Sequence, residues 1–202
     1  MTAWPARTSR VPMIIDVGKW VLRTACEQIK LWNDGKSSLP MSVNLSGSQF
    51  RHEFLAEMVE STIKEYGIDP RSLTLEITES IFVKDQEFTV KVLKRLKSIG
   101  VSLSIDDFGT GYSSLSYLKK FPVDFVKIDQ SFVKDVATDP DATSLVTAII
   151  SMAHSLNLKT IAEGVETEDQ WKILRLLKCD MAQGYYFNTA LPPKDVEKFF
   201  VQ

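Results

Sequence analysis

Residues 102–117 read SLSIDDFGTGYSSLSY, an alternating run that ends in two adjacent aspartates, Asp106 and Asp107, followed by glycines and hydroxyls. Leu103 and Ile105 alternate with Ser104 and Asp106, the period of two that a β-strand imposes on its faces. Neighbouring carboxylates repel, so such a pair persists only in water or beside cations. The stretch predicts a strand with one apolar face, whose polar end is neutralised by something held there.

The same division recurs along the chain. Val43 and Leu45 oppose Asn44, Leu75 and Ile77 oppose Glu76 and Thr78, and Val126 and Ile128 oppose Lys127. Six strands are predicted, at MSVNLS (41–46), LTLEITES (73–80), VSLSI (101–105), DFVKI (124–128), LKTIA (158–162) and AQGYYF (182–187). Helical patterns separate them. The first covers 13–34, with Ile14, Val17, Val21, Ala25, Ile29 and Trp32 at helical spacing. Others follow at 49–67, at 86–99 before Gly100, near 113–119 and at about 142–156. Thr167 with Gln170 fits a capping box, and Pro192 and Pro193 precede a last helix. Alternating strands and helices imply βαβ units around a parallel sheet. A row of Asn, Glu, Asp and Lys near successive C-terminal strand ends suits the mouth of a closed or nearly closed α/β barrel of the TIM type. An open doubly wound sheet, with helices on both faces, would disfavour that row.

With 202 residues, 44% hydrophobic and 25% charged, the chain has the make-up of one globular domain. Residues 1–11 read as an irregular N-terminal segment and 12–202 as the barrel domain. Lys and Arg number 24 against 26 acidic residues, which excludes the global positive field that drives binding to duplex nucleic acid. Cys26 and Cys179 lack metal-ligand spacing and read as reduced thiols of a cytoplasmic protein. Apolar runs such as LVTAII at 145–150 are far too short for a membrane span, and the start MTAWPARTSR has no signal-peptide core.

Asn44, Glu76, Asp106 and Asp107 offer hard oxygen ligands of the kind that suit Mg²⁺, Mn²⁺ or Ca²⁺. Local curvature after the strand would turn Asp107 toward the mouth beside Asp106. Two cations there would relieve the repulsion and clamp both oxygens of a phosphoryl displacement. The plainer alternative is that either Asp caps the next turn and that Asn44 satisfies loop backbone. Lys127 is either an ion-pair partner of neighbouring carboxylates or a holder of a water or phosphate oxygen. Glu163 and Glu166, in AEGVET, are either site carboxylates or favourable charges at a helix N-terminus, a role that suits Glu166 better. His52 and His154 have no companion ligand and read as structural or solvated. The glycines at 109 and 111 alone carry little information on phosphate binding, and no GxxxxGK loop is present.

Taken together, SVNLS, LEITES, IDDFGTGYSSLSYL, VKIDQSFV, IAEGVET and AQGYYF closely resemble the EAL-type cyclic-di-GMP phosphodiesterase family, in its order and spacing, from about residue 12 to 195. The resemblance implies a (β/α)₈-type barrel that hydrolyses cyclic di-GMP to linear pGpG with two Mg²⁺ or Mn²⁺ ions. It implies Asn44, Glu76, Asp106, Asp107 and Glu163 as metal-site residues, and Lys127 on the nucleophilic water. Gln183 and Glu166 would complete the site, and Glu79 would brace the loop after DDFG, which in this family couples metal binding to dimerisation. One motif is absent: the sequence contains no E-A-L-x-R, whose Glu is a metal ligand and whose Arg holds the dinucleotide. Six strands where the barrel needs eight imply that the family's N-terminal pair is missing. The open edges at MSVNLS and AQGYYF would then favour a homodimer or higher association. An upstream sensory or diguanylate-cyclase-like domain is a further expected partner. The competing expectation is a catalytically inactive module that binds cyclic di-GMP or a protein.

Overall fold

A computed structural model gives the structure over residues 10–33, 39–83, 85–110 and 118–199. Six parallel strands form one sheet in chain order: β1 (Met41–Leu45), β2 (Leu73–Thr78), β3 (Ser102–Phe108), β4 (Phe125–Ile128), β5 (Lys159–Ala162) and β6 (Met181–Ala182). Helices join them on one side, as right-handed crossovers between parallel strands demand. They are α1 (Arg10–Trp32), α2 (Gly47–Phe50), α3 (Leu55–Tyr66), α4 (Gln86–Ile99), α5 (Gln130–Val133), α6 (Pro140–Ser155), α7 (Glu168–Leu176) and α8 (Pro193–Val196). The architecture is an incomplete α/β barrel, a half-barrel whose edges are β1 and β6.

The apolar strand residues face the helices as the alternation requires. Leu73, Leu75, Ile77, Leu103, Val126 and Ile128 are fully buried against Val59, Leu93, Leu96 and Val146. Each such side chain contributes about 1.5–3 kcal/mol of burial. The register aligns Asn44 with Glu76 and Ser104, and Thr78 with Asp106, so the polar residues of the other face stack in successive layers toward the C-terminal end.

Four expectations change. The 49–67 pattern is two helices, because Ser46 and Gln49 close a capping box around α2 and the chain turns before α3 starts at Leu55. AQGYYF is not a strand: only Met181–Ala182 pair with β5, and the chain turns at Gly184, which packs against the Val165 backbone. A Cβ on Gly184 would sit 2.1 Å from the Val165 carbonyl oxygen, so the approach that ends the ladder needs glycine. In α1, which begins at Arg10, the buried line is Leu22, Ala25, Cys26 and Ile29, while Val17 is 46% exposed. The helix is apolar on its outward side as well as its inner one. Asp107 belongs to β3 rather than following it. Of the helix expected near 113–119, residues 113–117 lie outside the described residues. Burial pushes the Cys26 thiol up to about 11 and raises Cys179 too, so both thiols are unreactive core side chains.

Candidate functional site

The polar face of the half-barrel ends in a cleft of about 490 Å³ at the C-terminal ends of the strands. Its floor is Lys127, only 4% exposed. The position follows from β4: Val126 and Ile128 point to the core, so Lys127 between them must point to the cleft. Lys127 Nζ lies 2.7 Å from Glu76 Oε2, 2.9 Å from Asp106 Oδ1 and 2.8 Å from Glu163 Oε1. Burial opposes its charge, but the contacts with Asp106, Glu163 and Glu76 outweigh that and raise its pKa above the ordinary lysine value.

One ammonium does not balance this cluster. Glu76, Asp106, Asp107 and Glu163 are four carboxylates against a single lysine, and carboxylate oxygens of Asp106, Asp107 and Glu163 lie within 4.8 Å of one another. The curvature expected after Asp106 takes the form of a β-bulge between Ile105 and Phe108, with Asp107 at φ 54°, a left-handed conformation that Asp tolerates better than most residues. The bulge lets consecutive aspartates serve one site. Burial first, and then the charges of Asp106 and Asp129, hold the Asp107 carboxyl above the usual range. Glu163 is also raised, by burial first, with the Lys127 contact opposing. Asp106 Oδ1 is buried and accepts no hydrogen bond among the described residues, its 2.9 Å approach to Lys127 falling outside hydrogen-bond geometry. An anionic pocket whose carboxylates outnumber its one ammonium and whose ligands are all oxygens fits a hard divalent cation.

The remaining expected residues are placed as follows. Asn44 lines the cleft from β1, and Gln183 donates to Glu163 Oε1 at 2.5 Å. Glu79 is buried and its Oε2 accepts from the Gly109 amide at 3.0 Å, tying the segment after β2 to the turn after Asp107. Glu166 is exposed and is not among the cleft-lining residues. His52 is bonded to the Phe54 amide and His154 to Asp180, both away from the cleft. The cleft also holds Asp129, Gln130, Tyr185 and Asn188, which the sequence reading did not single out. Asp129 was within reach of that reading, since it follows Lys127 by two residues and so shares its side of the chain. Tyr185 and Asn188 depend on the turn at Gly184 and left no periodic signal.

A parallel half-barrel with a lysine–carboxylate cluster at its C-terminal mouth defines a barrel protein with its chemistry at the strand ends. Residues 8–190 match the family model described as EAL domain. The chain belongs to the EAL domain family. It is 42% identical over 190 residues to signaling protein YkoW of Bacillus subtilis, covering 94% of this chain and 24% of that protein. It is 42% identical over 185 residues to the bifunctional diguanylate cyclase/cyclic di-GMP phosphodiesterase MucR of Pseudomonas aeruginosa, covering 91% and 27%. The chain thus spans about a quarter of the length of these relatives. Among solved structures, the c-di-GMP complex of the MucR phosphodiesterase superposes with a TM-score of 0.88 at 41% identity, over 92% of this chain and 75% of that one. The manganese/cy-diGMP complex of Klebsiella pneumoniae BlrP1 superposes with a TM-score of 0.77 at 28% identity, over 90% and 45%.

Proposed function

We propose that this chain is a cyclic-di-GMP phosphodiesterase module that opens one phosphodiester bond to give linear pGpG. The observation that carries the reading is the imbalance of charge in the cleft: five carboxylates, Glu76, Asp106, Asp107, Asp129 and Glu163, against one lysine whose ammonium is shared among three of them. Asn44, Glu76, Asp106, Asp107 and Glu163 would hold two Mg²⁺ or Mn²⁺ ions. When bound, such ions neutralise phosphodiester charge and lower the pKa of water.

The chain's own groups do the rest. Lys127, fixed by Glu76 and Glu163, points its ammonium into the cleft, where it orients the attacking water and offsets negative charge as the phosphorus becomes five-coordinate. Gln183 holds Glu163 in position by its amide. Glu79, through Gly109, fixes the turn that carries Asp107. Glu166, which the cleft lining does not include, would contribute only from outside it, on the loop it shares with Glu163. The MucR relative's name and its c-di-GMP complex support this substrate.

Incubation with cyclic di-GMP and Mn²⁺ followed by chromatography tests the reading. pGpG should appear, and Lys127→Ala should lower turnover about 10²–10⁴-fold with little change in affinity. Binding without turnover would instead support a second reading, a non-catalytic module. Within these 202 residues no E-A-L-x-R is present, so one carboxylate ligand and one Arg that the resemblance implies are not supplied by this stretch.

Self-association belongs to the same proposal. Met13, Val17, Trp20 and Leu31 form an outward apolar stripe on α1, and β1 has no partner on its outer edge among the described residues. The protein should scatter light as a dimer or larger at micromolar concentration; a stable monomer would refute this. Attachment to sensory or diguanylate-cyclase-like domains follows from the length of the relatives, and a cytoplasmic setting from the substrate. No helix among the described residues is long and apolar enough to cross a membrane.

A further inference from the structure

We infer that Gln170, on the far side of the loop from the cleft, is a positioning residue for the metal-site carboxylate Glu163; this rests on the reading of the cleft given above. Gln170 is 6% exposed and uses both ends of its amide. Its Oε1 accepts from the backbone amides of Glu166 at 2.7 Å and Thr167 at 3.0 Å, the usual work of a capping-box residue at the head of α7. Its Nε2 donates at 2.8 Å to the carbonyl of Lys134, which ends the short helix α5, thirty-six residues earlier in the chain.

The second bond explains the residue type. A capping box accepts Glu as readily as Gln, and a helix N-terminus favours the carboxylate. Glu at 170 would face the Lys134 carbonyl with a second acceptor, so the tether requires an amide. The two loops so joined are the two that matter: one follows Lys127 and carries Asp129 and Gln130, and the other carries Glu163 and Gly164. They meet again at Gly164, φ 69°, where an added Cβ would lie 2.6 Å from the Cβ of Gln130. Gln130 and Gln170 therefore hold the Glu163 loop from two sides. Its backbone continues β5 through Glu163 N to Ile128 O, 3.1 Å, and reaches β6 through Val165 N to Gln183 O, 3.1 Å. With the tether lost, α7 and α5 separate, and Glu163 is no longer held against Lys127.

Two variants separate tether from cap. Gln170→Glu keeps the acceptor and removes the donor; Thr167→Ala removes the cap, since Thr167 Oγ1 accepts from Gln170 N, and leaves all three hydrogen bonds of the Gln170 side chain. Calorimetry with Mn²⁺ should show Gln170→Glu binding about tenfold more weakly than wild type, the usual effect of losing support behind a ligand. Thr167→Ala should lower the melting temperature and leave Mn²⁺ affinity unchanged. Hydrogen exchange at the Glu163 and Val165 amides should speed up in Gln170→Glu alone. If wild type binds no Mn²⁺ while that exchange pattern holds, the metal reading fails and the tether stands. Unchanged exchange in Gln170→Glu, or wild-type Mn²⁺ affinity in that variant where wild type binds, overturns the positioning role and leaves Gln170 a helix cap.

Discussion

At the N-terminal end of the sheet Lys97 meets Asp124 one to one, whereas at the C-terminal end Lys127 meets three carboxylates with a fourth beside them. The first cluster is closed. Lys97 Nζ donates to both Asp124 oxygens, at 2.9 and 2.8 Å, and to the Val101 carbonyl, while Asp124 Oδ2 accepts the Leu103 amide at 2.8 Å. Asp180, at the same end, accepts from the amide and hydroxyl of Thr160 and bonds His154. Charges there fasten helices and loops to strand starts. The second cluster is anionic, with Glu76 and Asp106 buried at its base and more carboxylates than its one lysine can neutralise. A fold gains nothing from that arrangement alone, because each excess buried carboxylate is destabilising until a cation arrives. The difference separates scaffold from site within one sheet.

Lys127→Met should produce the largest effect. In metal-free buffer it leaves buried carboxylates without their counter-charge and should cost about 3–5 kcal/mol, a fall in melting temperature on the order of 10 °C by calorimetry. A fall no larger than that of an exposed lysine variant would erase the contrast. Asp124→Asn should cost about 1–2 kcal/mol, since Lys97 keeps solvent and the Val101 carbonyl, and Mn²⁺ affinity should stay at the wild-type value. Altered Mn²⁺ affinity would mean that the two ends are coupled.

Asp180→Asn should have a smaller, pH-dependent effect. Burial opposes the Asp180 charge, but the His154 and Thr160 hydrogen bonds outweigh it and hold the carboxyl below its usual range. A depressed folded pKa gives stability that is fully present above the unfolded value, about 3.9, and is lost as pH falls through the folded value. The melting-temperature gap between wild type and Asp180→Asn should be full at pH 6 and shrink below about pH 4. A constant gap would show a geometric role without charge. The smallest effect, opposite in sign, is expected of Asp107→Asn: removing a charge crowded by Asp106 and Asp129 should raise metal-free stability by under about 1 kcal/mol.

The half-barrel and most of this cleft were legible because they depend on the period of two. Asn44, Glu76, Asp106 and Lys127 fall on the face opposite Val43, Leu75, Ile105 and Val126 wherever the strands are drawn. Charge repulsion pointed to curvature that brings Asp107 beside Asp106, but placed Asp107 after the strand rather than at a bulge inside it. What escaped depends on contacts distant in sequence. The early end of β6 comes from Gly184 packing against Val165, and the split near residue 50 from a capping box inside an apolar pattern. The exposure of Val17 and Trp20 comes from an α1 that is apolar on two sides, which periodicity reads as one broad core face. Gln170 was read as half of a capping box, and its bond to Lys134 joins elements that no local pattern connects.

The unbalanced cluster as a divalent-cation site is tested most directly by titrating Mn²⁺ into wild type and Asp106→Asn in a calorimeter. Wild type should bind, and the variant should bind at least about tenfold more weakly, because Asp106 supplies a buried anionic oxygen whose only counter-charge is a lysine shared with Glu76 and Glu163. Equal binding by the two proteins, or none by wild type, would contradict the assignment.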